Sequence, residues 1–385
     1  IDAIKHYIKT PKCYYSAVLI NAPWGAGKTY FVKKVLYDEV KEELRNVNKH
    51  MVYISLNGIN SIDLLCSRFN LAKLKLSSKS KSDNNIADDS LNVISAFSDL
   101  LSEENQKKIN AALKITGSMV KISKKLVMSF KGEEIVFVLD DLERSTIPIE
   151  ELLGCISDIA EQEECKFILI SNEEKIKDRS DNELSYREIK EKIVQRVIPF
   201  VPDYEEVVSN SIELMSCGIE YKGLLRKNEK LLVKILSGDF NDNAIIEQYK
   251  AKNYKLGSNK EREEYQKEEE ELRKLLAQRP HNIRSFKCAI QDFERVYNKL
   301  VKEDIQDCSN WLLSFTCLMM TNKAGLLQEI TRYGHLFWYL NVEKLYPELF
   351  DDNFIVDGFS KWVIQGEWNE DVISKEIQLF LKKEK

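Results

Sequence analysis

Short, nearly unbroken apolar runs punctuate the first half of the chain: Ala17 to Ile20 before Asn21, His50 to Asn57, Val136 to Leu139 before Asp140, Lys166 to Asn172, and Val197 to Pro202. Runs this short, with little alternation, predict strands buried on both faces. Between them, apolar residues recur at helical spacing. Residues 1 to 12 place Ile4, Tyr7 and Ile8 on one face before Thr10 and Pro11. Phe31, Val32, Val35 and Leu36 begin a helix that becomes charged toward Arg45; further helices are predicted over Ile62 to Phe69, Glu150 to Glu161, and 184 to 196. Strands alternating with helices predict a parallel sheet in an α/β layer.

Two stretches break this rhythm. Residues 77 to 90, SSKSKSDNNIADDS, are polar and low in complexity and predict a solvated linker. Helices follow near 91 to 103 and 105 to 129, the second broken by Lys107, Lys108, Lys114, Lys121, Lys124 and Lys125. That punctuation excludes a membrane span and leaves a packing helix or a surface-lying one. Beyond Asp203 the pattern turns helical with no further strand. Residues 241 to 278 are dominated by charge and predict a solvated helix with i,i+4 pairs. After Pro280 an amphipathic helix turns Ile283, Phe286, Ile290, Phe293 and Val296 inward. From Trp311 onward the chain is apolar and aromatic, with Trp338, Tyr339, Tyr346, Phe350, Trp362 and Trp368 available for a core or a partner. A length of 385 residues fits several domains, drawn here as a core at 1–205 with a helical insertion at about 70–132, a helical lid at 206–300, and an aromatic-rich helical domain at 301–385.

A net charge of −5 gives no global positive field, so nucleic-acid binding is not indicated, although a local basic patch stays open. The eight cysteines never approach C-x-x-C spacing and the four histidines form no metal-binding pattern, so the thiols are expected to be reduced core fillers. The longest apolar run, Trp311 to Met320, is about half of the ~20 residues that cross a bilayer, and a cytoplasmic protein is expected. The chain opens on Ile1 rather than methionine, as a piece of a longer one would.

The candidate chemistry lies between the first strand and the next helix. There APWGAGKT supplies Pro23, Trp24, Gly25, Ala26, Gly27, Lys28 and Thr29 in the pattern G-x-x-x-x-G-K-S/T, with Ala22 in the first glycine position. Small residues let consecutive backbone N–H groups face phosphate oxygens, and the helix adds its positive end. Lys28 is assigned to the β- and γ-phosphates, the Thr29 hydroxyl to Mg2+, and the Tyr30 amide to the α-phosphate. The second half of the site is VFVLDDLERS, where a buried strand runs into Asp140 and Asp141. In the company of a phosphate loop, Asp140 is the expected magnesium ligand. Asp141 is the first choice to polarise attacking water and Glu143 the second. Asn172, ending the fourth strand, is the candidate to sense the γ-phosphate or to orient water. The N-terminal helix either borders the adenine or simply packs. The order of motifs fits a five-stranded P-loop core arranged 5-1-4-3-2.

Together these stretches resemble the KAP family of P-loop NTPases, relatives of the AAA+ and STAND ATPases. APWGAGKT is similar to its tryptophan-bearing phosphate loop, VFVLDDLERS to its acidic strand with trailing D-L-D/E-R, EKIVQRVIPFVP to the run before its fifth strand, and RPHNIRSFKCAI to its lid helix. The resemblance implies ATP and Mg2+ binding, a lid sensor at Arg284, and an arginine at Arg196 acting on a neighbouring copy, with Arg144 and Arg187 as competitors. It also implies a homo-oligomer, and for bacterial members a role in anti-phage defence. Many members carry membrane-spanning helices between the two motifs; the lysine-punctuated interval here carries none. The expected function is an ATPase switch acting on a protein effector. The alternative is a scaffold that holds ATP without hydrolysing it.

Overall fold

A computed structural model describes residues 1–10, 16–79, 134–163, 165–177, 183–253, 259–327, 330–332, 335–337 and 340–383. They fall into two units, Ile1–Val201 and Pro202–Lys385. The first is built on β1 (Ala17–Asn21), β2 (Lys49–Ser55), β3 (Glu134–Asp140), β4 (Lys166–Ser171) and β5 (Val194–Pro199), in the order β2-β3-β4-β1-β5. Every pairing is parallel. This is the expected 5-1-4-3-2 order.

Because side chains alternate along each strand, the central runs bury both faces. On one face Val18, Ile20, Met51, Val136, Val138, Ile168 and Ile170 pack with Ile4, Tyr7 and Ile8 of α1 (Asp2–Lys9) and with Val32, Leu36, Val40 and Leu44. Val32 and Leu36 lie on a π-helical stretch, Phe31–Leu36, and Val40 and Leu44 on α3 (Tyr37–Asn46); together these continue α2 (Lys28–Tyr30). The other face buries Leu19, Ile54, Phe137, Leu139, Phe167 and Leu169 against α4 (Ile62–Lys79), α5 (Ile149–Glu163) and, after α6 (Glu173–Lys177), α7 (Glu183–Ile193). Phe69, Phe137 and Phe167 form its centre, with ring centroids 4.6 Å apart for Phe69–Phe137 and 5.4 Å for Phe137–Phe167.

Several boundaries differ from the sequence pattern. The helix expected over 184 to 196 ends at Ile193, and β5 starts at Val194, so Arg196 stands on an edge strand rather than at a helix end. The run VQRVIP is β-branched enough to pair with β1 before the apolar stretch begins. Residues 77–79, expected in a linker, continue α4; the rest of that linker and the two helices expected over 91–103 and 105–129 lie outside the described residues. α1 is held by packing and by Lys166, whose ammonium donates to the carbonyls of Tyr7, Ile8 and Thr10 at its C-terminal end, where a cation suits the helix dipole.

Among its described residues the second unit is helical apart from a hairpin of β6 (Ile330–Arg332) and β7 (His335–Phe337), which the absence of a convincing strand pattern there did not foretell. Its helices include α8 (Tyr204–Glu213), α9 (Ile219–Lys227), α10 (Glu229–Ser237), α11 (Asp242–Asn253), α12 (Asn259–Ala277), α13 (Ile283–Lys302) and α14 (Ser309–Lys323). Phe286, Ile290, Phe293, Val296 and Leu300 form the inward stripe of α13. Every residue of α14 from Trp311 to Thr321 is buried, as an all-round apolar helix requires. One core joins Val208, Phe293, Trp311, Tyr346, Phe359 and Ile377. The lid expected at 206–300 and the domain expected at 301–385 therefore share a core, and position 300 separates no packing units. Tyr346 and Phe350 are buried in that core, and Trp362 and Trp368 pack against it; Trp338 and Tyr339 lie outside the described residues. On the charged α12, Glu269–Arg273 and Glu270–Lys274 pair at i,i+4. The described cysteines are free thiols, and no helix among the described residues is long and apolar enough to cross a membrane.

Emptying the aromatic centre tests this account of the first unit. Phe137→Ala should destabilise it by about 3–5 kcal/mol, the usual range for a buried phenylalanine, read as a lower urea midpoint.

Candidate nucleotide-binding site

β1 ends at Asn21 on the carboxyl edge of the sheet, where ligands bind in parallel α/β folds. The loop then tightens: the Ala26 N–H donates to the Pro23 carbonyl at 3.4 Å, closing a turn whose third residue, Gly25, has φ 80°. Gly27, at φ 87°, precedes the first turn of α2. Both are left-handed values that glycine adopts without a Cβ penalty, which explains the glycines of the motif.

Lys28 folds its side chain into this loop and donates to the carbonyls of Ala22 at 2.6 Å and Pro23 at 3.0 Å. Burial pushes its ammonium below the usual lysine range; the carboxylates of Glu143, Asp140 and Asp141 oppose that shift, Glu143 most strongly. The Thr29 hydroxyl donates to Asp140 Oδ2 at 2.7 Å, bringing the phosphate loop and the end of β3 into contact. Asp140 is 1% exposed, and burial raises its carboxyl above the ordinary range despite the hydrogen bonds it accepts. A hydroxyl and a buried carboxylate side by side form the hard oxygen pair that Mg2+ takes beside nucleotide phosphates, so these residues fit the ion. Pro23, Trp24, Ala26 and Tyr30 stand in the loop and first turn as expected, with the Tyr30 side chain exposed.

Three of the acids and one arginine of the D-D-L-E-R turn converge here. Asp141 has φ 62° and ψ 40°, a conformation uncommon for a residue with a Cβ. Its Oδ2 accepts from the Ser55 hydroxyl at 3.0 Å, and its Oδ1 lies 3.4 Å from Arg144 Nε. Glu143 is buried and accepts the Trp24 indole N–H at 2.5 Å. Asn172 is buried at the end of β4, where the next residue, Glu173, donates its N–H to Asn21 Oδ1 and receives the ammonium of Lys190.

Of the expected arginines, one stands away from the loop in the first unit and another belongs to the second unit. Arg196 is exposed and pairs with Val18, while Asn21 pairs with Pro199. At ~3.3 Å per residue it stands about 10 Å below the loop on its own strand, in a cavity of ≈ 240 Å³ lined by Asp2, Ala3, His6, Val18 and Gln195. Arg284 belongs to the second unit and is exposed in the first turn of α13, whose N-terminal amides are capped by Asn282. In the same motif Arg279 is 5% exposed and donates to the carbonyls of Leu345 and Gly238 and to Asp242, a structural role. Arg187 is exposed on α7.

Sequence reasoning missed Tyr53 and Ser55. The Tyr53 hydroxyl donates to Asp140 Oδ2 at 2.8 Å, burial holds its phenol well above the usual range, and Lys33 lies 4.3 Å from its ring centre. Lys33 comes from the π-helical stretch, a distortion common near functional sites. The available signal was register: β2 pairs with β3 so that Ser55 stands beside Asp140, and Tyr53 is two residues back on the same face.

A strand, a glycine loop with Gly-Lys-Thr at a helix start, and a buried carboxylate meeting that threonine define a P-loop NTPase. Within that class, the model of the KAP family P-loop domain matches residues 1–300, and the chain belongs to this family. No curated protein gives a significant match.

Lys28→Ala should weaken ATP binding by about a hundredfold or more, since hydrogen bonds from a buried cation to phosphate are lost; calorimetry on the folded variant measures it. A second outcome concerns Asp140. Its raised pKa means that the folded apo protein holds the proton more tightly than the unfolded chain. That contribution to stability is complete below the ordinary aspartate pKa and is lost as pH rises through the raised value. Without nucleotide and metal, Asp140→Asn should therefore melt above wild type at neutral pH, with the gap closing in acid, while its Mg2+ requirement for nucleotide binding rises.

Proposed function

We propose that the chain is an ATP-hydrolysing switch whose nucleotide state, or assembly, sets the state of a protein effector. The observation that carries this reading is the 2.7 Å contact between Thr29 and Asp140, with Asp141 next in the chain. ATP would lie along the loop, with Lys28 and the backbone amides of residues 25–30 on its phosphates. Thr29 and Asp140 would hold Mg2+, which supplies charge neutralisation of the phosphates when bound. Asp141 is the acid assigned to water: Ser55 and Arg144 grip it from two sides in a backbone conformation that a structural turn does not need. Asn172 is the core residue assigned to sense the γ-phosphate or orient water, and Arg284 is the assigned sensor of the helical lid.

The missing positive charge is assigned to a second copy. Arg144 is engaged with Asp141 and Trp24 in its own chain. Arg196 is exposed on an edge strand and about 10 Å below its own loop, which suits an arginine offered to a neighbour. Homo-oligomerisation and a role in anti-phage defence belong to this proposal through the family resemblance, and a cytoplasmic setting belongs to it through the sequence pattern.

Multiple-turnover release of phosphate from ATP tests the reading, and its absence in a protein that binds ATP would replace the switch with a non-hydrolysing scaffold. Within it, Asp141→Asn should retain ATP and lose turnover by ~10²-fold or more, the usual loss for a catalytic base. Arg196→Ala should lower turnover by roughly 10³-fold, as for other arginine fingers, with little loss of affinity. Specific activity should rise with protein concentration, and a mixture of Arg196→Ala with Asp141→Asn should regain part of it. A mixture that stays inactive retires the arrangement in trans.

A further inference from the structure

Trp24 makes contacts that neither the loop's phosphate chemistry nor core packing calls for. It follows Pro23 in the turn closed by Ala26, so its backbone serves the loop whatever its side chain. That side chain is 45% exposed, so burial does not account for it. It nonetheless spans the gap to the acidic turn twice. The indole N–H, which has no acceptor capacity and a single donor, gives its hydrogen bond to Glu143 Oε1 at 2.5 Å. The guanidinium of Arg144 lies 5.4 Å from the indole ring centre, within cation–π range. Arg144 then reaches Asp141 Oδ1 at 3.4 Å. One residue of the phosphate loop thus grips Glu143 directly and Asp141 through Arg144.

We propose that Trp24 is a positioning residue that couples the phosphate loop to the acidic turn, holding the water-polarising carboxylate in aim when the loop has its nucleotide-binding shape. The proposal rests on Asp141 having that role. The physical argument is one of separable contributions. Phosphate affinity comes from backbone amides and Lys28, none of which the indole supplies. The orientation of Glu143, Arg144 and Asp141 depends on the indole through a charge-assisted hydrogen bond and a stacked cation. Removing the indole therefore acts on the chemical step and spares binding, the signature of an interaction used in the transition state.

The test measures ATP affinity and turnover of the full chain carrying Trp24→Phe, Trp24→Leu, Glu143→Gln, and Trp24→Phe with Glu143→Gln. Trp24→Phe keeps a ring for Arg144 and removes the N–H; it should lower kcat about tenfold, the scale of one hydrogen bond to a charged group, with affinity within about a factor of two. Trp24→Leu, which also removes the stacking, should lower kcat further. The double variant should lose less than the product of the two single losses, because Glu143→Gln removes the charge that assists the bond and Trp24→Phe removes its donor. A readout independent of activity is the emission of Trp24, taken as wild type minus Trp24→Phe: Glu143→Gln should change it without nucleotide. Wild-type kcat in Trp24→Phe, a loss confined to ATP affinity, additive effects in the double variant, or unchanged emission would each overturn the coupling. Asp141→Asn separates the two levels. If it abolishes turnover and Trp24→Phe does not, only the coupling falls; if it retains full turnover, the assignment of Asp141 falls and the coupling falls with it.

Discussion

The meeting of the Thr29 hydroxyl with the Asp140 carboxylate depends on strands that do not touch. β4 lies between β1 and β3, and its register with each sets their ends at one level: Asn21 pairs with Ser171, and Leu139 with Leu169. The phosphate loop therefore leaves β1 where the acidic turn leaves β3, although more than a hundred residues of chain lie between. A slip of one residue in the pairing of β3 with β4 would turn Asp140 to the opposite face of the sheet, away from Thr29. The buried apolar faces fix that register, so the site is a consequence of how Leu, Ile, Val and Phe side chains divide between two layers.

Much of this was legible in the sequence. The glycine loop and the double aspartate are local patterns with a local reason: glycines for left-handed backbone, an apolar run for a buried strand, polar residues where the strand emerges. The five strands followed from the same periodicity, and their order from the arrangement usual in the class of P-loop ATPases that the placement of the two motifs fits. What escaped depends on pairing between distant segments. Tyr53 reads as an ordinary aromatic strand residue until β2 lies beside β3 and its hydroxyl finds Asp140. Trp24 reads as a mark of the phosphate loop, with no partner named for its side chain, until Glu143 arrives from beyond β3. Arg196 was assigned to a helix because LSYREIKEKIVQR has helical periodicity through its end. An edge position against β1 overrides that preference, as tertiary context does for β-branched segments.

The site also shows how charge is kept in a sheltered place. Lys28 and Asp140 are both buried, and burial works against the ionised form of each. Neutral partners compensate in part: backbone carbonyls around the ammonium, hydroxyls of Thr29 and Tyr53 on the carboxylate. Ligands of opposite charge beside each group would offset the remaining cost of burial, which would link binding to stability.

The match to the family ends at residue 300, but the core of the second unit does not. α13 lays its stripe of Phe286, Ile290, Phe293 and Val296 into a core whose other members include Trp311, Phe315 and Phe359, all beyond that point. A chain ended at the family boundary would present this stripe to water, an adhesive surface of aromatic and aliphatic side chains. The matched stretch and the folded unit are different lengths of the same polypeptide, and the residues after 300 close the core that α13, inside the matched stretch, lines.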